Sequence, residues 1–175
     1  MPRLPEIKER DQLPEGDRHA YDYLIETRGS VSGGFAVLLN HPEIAQRVAH
    51  LGTYVRYESS LSDRTRELAA LAAVSELEGR YEQAMHTRLA RGAGVPDAAL
   101  DAINQRAEAQ GLSEEEALAV SFARQVLRDH RVADATFQEA RRRLGDEGVI
   151  ELAATVGYYA MMASMFIALD VPPPQ

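Results

Sequence analysis

Residues 61–95 read LSDRTRELAALAAVSELEGRYEQAMHTRLARGAGV, and the fold turns on this stretch. Ser62 is a good N-cap, and Asp63 suits the first helical turn. Leu68, Leu71, Ala72 and Ser75 recur at helical spacing and share one face. Gly79 interrupts the pattern, after which helix continues through Arg91. GAGVPD then stops that helix and starts another over about 97–109.

The same period runs outward in both directions. Residues 17–28 predict a first helix. GSVSGGFAVLLNHP follows as a Gly-rich connection ending in a short apolar run, with SGG at 32–34 read as a turn. Pro42 suits a first turn capped by Asn40 or His41, and Ile44, Ala45, Val48, Leu51 and Val55 form an apolar stripe. Ser113 and Glu116 make a capping box. Asp134 and Asp146 are N-cap candidates for two more helices, and VPPPQ at the end cannot continue a helix. The expectation is an all-α, single-domain helical bundle of seven or eight helices. It comprises an N-terminal extension over 1–16 and one helical domain over 17–171.

Composition narrows the function. The 175 residues are 45% hydrophobic and 26% charged, as in an ordinary globular protein. A net charge of −8 disfavours nucleic acid and anionic membranes as partners. There is no cysteine, which excludes disulfides, thiolate metal sites and thiol catalysis and is compatible with a reducing, cytoplasmic setting. The N-terminus lacks the apolar core of a signal peptide. Residues 152–169 hold no charge over 18 positions, the lower edge of a spanning helix. Their Ala, Gly, Ser and Thr content, with Glu151 and Asp170 alongside, reads instead as a central bundle helix or an oligomer interface.

Glu82 and His86 are four apart, so one helix face presents both. A carboxylate beside an imidazole raises its basicity and fixes its tautomer, which suits acid–base work. The same spacing also describes an ordinary surface pair. A metal site would need a second such pair brought alongside the first. His19, His41, His50 and His130 read as structural.

The stretch resembles the carboxymuconolactone decarboxylase family, whose superfamily includes alkyl hydroperoxidase D-like proteins. Arg66-Glu67-Leu68, Tyr81-Glu82 with His86, and Gly92–Val95 carry the resemblance, and the flanking segments extend it over nearly the whole chain. The peroxidase branch has C-x-x-C where this chain has Gly79 and Glu82, so thiol peroxidase chemistry is not expected. The resemblance implies a cofactor-independent, metal-free lyase that removes CO₂ from a small carboxylated lactone. It makes His86 the general acid, tuned by Glu67 and Glu82. Arg56 or Arg66 would hold a substrate carboxylate, and Tyr81 would donate to the lactone oxygen. An isomerase or hydrolase on the same scaffold and a non-catalytic small-molecule binder are the alternatives. Trimers or hexamers are the implied assemblies, with a dimer also open.

Glu67 and His86 lie 19 residues apart, ~28 Å along one straight helix. They can share a site only if the chain turns back near 77–80 or if neighbouring subunits supply the partners.

Overall fold

A computed structural model describes residues 1–174; Gln175 of the VPPPQ end lies outside the described residues. Eight α-helices and no strand occur among them: α1 (Arg18–Arg28), α2 (Gly33–Leu38), α3 (Pro42–Thr53), α4 (Asp63–Glu76), α5 (Arg80–Gly92), α6 (Asp97–Asn104), α7 (Glu114–Arg128) and α8 (Asp134–Ala168). A π-helical turn, Tyr54–Glu58, extends α3.

α4 is the axis of the bundle. Every residue from Thr65 to Ser75 is buried, and the helix packs against α5, α7 and α8. Its alanines let three neighbours approach one cylinder, so the helix needs no polar face. Ser62 caps it, its Oγ accepting from the Thr65 amide at 3.1 Å. The predicted capping box opens α7: Ser113 Oγ accepts from the Glu116 amide, and the Glu116 carboxylate accepts from the Ser113 amide. Each such cap is worth ~1 kcal/mol. His41 is the cap of α3, its Nδ1 accepting from the Ile44 amide.

Several local expectations need correction. SGG does not merely turn: Ser32 sits at an N-cap and Gly33 begins α2. A Cβ on Gly33 would lie 2.2 Å from Tyr81 Oη, and one on Gly34 would lie 2.0 Å from Phe166 Cζ, so glycine is required by close approach. In α3, Ile44 and Leu51 are exposed, and the inward face is Ala45, Val48, Ala49 and Gly52. Small residues win there because Tyr158 and Arg28 close on Gly52. α6 ends at Asn104 rather than near 109, since Arg106 adopts φ 60° and the Ala107 amide turns back to the Ala102 carbonyl. Ala133, not Asp134, occupies the cap of α8. Gly145, with φ 71° and ψ 179°, divides α8 into two stretches, and the Asp146 carboxylate pairs with Arg141.

The most apolar 18-residue window of α8 has half its residues buried, against α4, α5 and α7. Ile150, Met161 and Ile167 face outward. Residues 1–16 run along the bundle: the Arg3 amide donates to the Leu169 carbonyl, the Ile7 amide to Ala36, and Leu13 is buried in the core.

Candidate active site

α4 ends at Glu76 and α5 begins at Arg80, so the chain does reverse where Glu67 and His86 require it. The residue that makes the reversal is Glu78, at φ 55°, a left-handed conformation uncommon outside glycine. Gly79 follows with an ordinary φ of −74°. Its role is spatial, because a Cβ there would lie 2.8 Å from the Ala163 Cβ of α8.

The reversal lays α5 against α4 and brings three charged side chains together. His86 Nδ1 is 2.7 Å from Glu67 Oε2, and its Nε2 is 3.5 Å from Glu82 Oε2. All three residues are buried, His86 to 2% exposure. Burial lowers the imidazole pKa, but hydrogen bonds to Glu67 and then Glu82 outweigh it and raise His86 to about 9. At neutral pH this is an imidazolium held between two carboxylates. The Tyr159 ring stands edge-on to it, with centroids 4.1 Å apart.

His86 and Glu82 form part of the wall of a cavity of about 290 Å³. Arg56 and Tyr81, both expected in the site, line it as well. The π turn supplies Arg56 and Tyr57: the Ser59 amide bonds the Tyr54 carbonyl five residues back, and the Arg56 guanidinium lies 5.2 Å from the Tyr57 ring. Both ends of this segment are pinned by Glu151 of α8, which accepts from Tyr54 Oη and from the Ser60 amide and hydroxyl. Tyr81 Oη accepts from the Gly34 amide at 3.2 Å, and its ring packs edge-on to Phe166.

Two expected residues sit elsewhere. Glu67 stands behind His86 and is not in the cavity wall. Arg66 does not line this cavity; it bonds Asp63 at 2.7 Å, lies 3.7 Å from Glu67, and with Glu67 lines a neighbouring cavity that shares Arg56 and Tyr57.

Arg28, Phe35, Arg88, Tyr158, Tyr159 and Phe166 complete much of the wall and were not singled out from the sequence. Arg28 stacks on Phe35 at 4.2 Å and donates to the Ala49 carbonyl. The one legible signal for this group is the Tyr158-Tyr159 pair, the only aromatic pair inside the small-residue run of α8. Among the described residues, Arg28, Arg56 and Arg88 have no carboxylate partner, although most arginines of the chain are paired. The arrangement can therefore offer a proton from a buried imidazolium and positive charge to an anion.

The profile of the carboxymuconolactone decarboxylase family matches residues 42–125, which include Glu67, Glu82 and His86. Among solved structures, an uncharacterized peroxidase-related protein with the alkylhydroperoxidase AhpD core, from Ralstonia eutropha JMP134, is similar with a TM-score of 0.81. It is 18% identical over 99% of this chain and 93% of that one. An uncharacterized peroxidase-related protein from Silicibacter sp. TM1040 gives 0.78 at 18% identity, over 99% and 95% of the two chains. A variant of the debrominase Bmp8 in complex with 2,3,4-tribromopyrrole gives 0.76 at 16%, over 99% and 94%. A comparison with curated proteins finds no match. The fold is thus of the AhpD-like all-α class. Residues 42–125 match the carboxymuconolactone decarboxylase family, and the chain has no cysteine.

Proposed function

We propose that the protein is a cofactor-independent acid–base enzyme that decarboxylates a small carboxylated lactone or a related unsaturated acid. The observation that carries this reading is the His86 imidazolium, held by Glu67 and Glu82 in the wall of a cavity that also presents unpaired arginines. Arg56 and Arg28 hold the anionic substrate, because a guanidinium binds a carboxylate bidentately. The carbon–carbon bond to the departing carboxylate breaks, CO₂ leaves, and the electron pair moves into the substrate's unsaturated system. His86 then delivers its proton to carbon, directly or through the Glu82 carboxylate beside it, and is reprotonated from solvent. Glu67 fixes the ring orientation, and Tyr81 closes the cavity beside Phe166. The aromatic walls suit a flat ring, which is also the shape of the tribromopyrrole bound by the Bmp8 variant. We place the enzyme in the cytoplasm as a homo-oligomer.

A screen of small carboxylated lactones for CO₂ release tests the reading, with His86→Ala as control. Turnover by the wild type and its loss in a folded variant are expected. Near-wild-type turnover in that variant would overturn the acid–base role.

A further inference from the structure

Four buried side-chain polar atoms lack a hydrogen-bond partner among the described residues: Arg28 Nε, Arg66 Nε, Arg124 Nε and Tyr159 Oη. Two of them, on Arg28 and Tyr159, belong to residues that line the His86 cavity. Arg28 Nε can only donate and Tyr159 Oη can donate as well as accept, so a ligand that brings acceptor oxygens satisfies both.

Tyr159 is the more informative. The residue is 4% exposed and sits edge-on to His86. The other tyrosines nearby are engaged. Tyr81 Oη accepts from the Gly34 amide, and Tyr158 Oη approaches Gly52 beside the Arg28 guanidinium. A buried hydroxyl without a partner opposes folding, whereas phenylalanine would fill the same space at no such cost. Packing alone therefore does not account for the hydroxyl. Burial and then the Glu67 carboxylate push its pKa well above the ordinary phenol value, so it stays protonated and able to donate.

We infer that Tyr159 is a catalytic hydrogen-bond donor, its hydroxyl stabilising the substrate oxygen that takes up negative charge during the reaction. The inference rests on the lyase reading above. As the carbon–carbon bond to the departing carboxylate breaks, its electron pair passes through the conjugated system to the carbonyl oxygen. Tyr159 donates a hydrogen bond to that oxygen without giving up its proton. CO₂ leaves as that bond breaks; His86 then protonates carbon, and the pair returns from oxygen to form the carbon–hydrogen bond. A donor placed for the developing charge accelerates the step because it requires no reorganisation at that moment.

The test uses the full chain with 4-nitrophenolate, whose charged oxygen imitates the developing one. The wild type should bind it with a blue shift of its visible absorption, and Tyr159→Phe should bind it roughly tenfold more weakly without the shift. The melting temperature of Tyr159→Phe should equal or exceed that of the wild type. On a lactone that the wild type decarboxylates, kcat should fall about 100-fold with KM little changed. Equal affinity and an equal spectrum in the two proteins would overturn the inference, as would no binding to the wild type or a lower melting temperature in Tyr159→Phe. If no carboxylated lactone is decarboxylated by the wild type while Tyr159→Phe loses the spectral shift, the lyase reading fails and the donor stands. If His86→Ala loses turnover while Tyr159→Phe matches the wild type throughout, the donor fails and the lyase reading stands.

Discussion

His86 Nδ1 stands 2.7 Å from Glu67 Oε2, across a 19-residue separation closed by a single left-handed residue, Glu78. Two consecutive helices thereby contribute opposite halves of one buried ion pair, with Glu82 on the outer side of the ring.

This pairing couples stability to pH. The folded-state pKa of His86, about 9, lies above its unfolded value near 6.5, so protonation favours the folded state. The stabilisation is complete below the unfolded value and is lost as pH rises through about 9. It amounts to on the order of 3 kcal/mol. Denaturant titrations from pH 6 to pH 10 should show this decline, and Glu67→Gln should flatten it. A decline of equal size in Glu67→Gln would assign it to other groups.

Removing Glu67 should also move the catalytic titration. In Glu67→Gln the imidazolium loses its nearest negative partner, so its pKa should drop toward the ordinary histidine range. NMR titration of the His86 ring should register the drop. The basic limb of the pH–rate profile should move to lower pH with it.

The turn between α4 and α5 separates conformational strain from crowding. Glu78→Gly should be neutral or stabilising by about 1 kcal/mol, because glycine adopts a positive φ freely. The exposed pairing with Arg106 lost by that change contributes little. Gly79→Ala should cost about 1–3 kcal/mol, since its Cβ would press on Ala163 and push α5 away from α8. Thermal melts of the two variants should move in opposite directions, or Glu78→Gly should stay level while Gly79→Ala falls.

Arg56 and Arg66 should part company in the same way. Arg56→Ala should raise KM for a carboxylated substrate about tenfold or more while leaving the fold intact. Arg66→Ala should lower stability by about 1–3 kcal/mol, because it frees Asp63 and unsettles Glu67. A KM effect from Arg66→Ala as large as that from Arg56→Ala would contradict the placement of Arg56 alone of the two in the wall of the His86 cavity.

The outward face of α8 is apolar at Ile150, Met161 and Ile167. The purified protein should stay in solution without detergent and sediment as a homo-oligomer, and Met161→Glu should reduce its mass. Sedimentation at the monomer mass would count against self-association.

Much of this was legible locally. Ser62, Ser113 and Glu116 are read correctly as caps because capping depends on three or four adjacent residues. The approach of Glu67 to His86 follows from helix length and an evident break. The sense of the break was less accessible, since Gly79 looks like the left-handed residue and Glu78 fills that place. The cavity wall was least accessible. Arg28 comes from α1, and Tyr159 comes from α8, 73 positions beyond His86. No short-range pattern links them, because only packing around α4 makes them neighbours. Ile44 and Leu51 mislead for the same reason: helical period marks an apolar stripe but does not say which edge of it a neighbouring helix covers.

The π turn at Tyr54–Glu58 makes the cavity sensitive to chain length as well as to residue type. Deleting one residue there would tend to restore α-helical winding and swing the following side chains through about 100°. Glu151 would still hold Ser60 in place, so the rotation would fall on Arg56 and Tyr57. A family member one residue shorter in this segment could keep every charged side chain of this protein and still present a different face to its substrate.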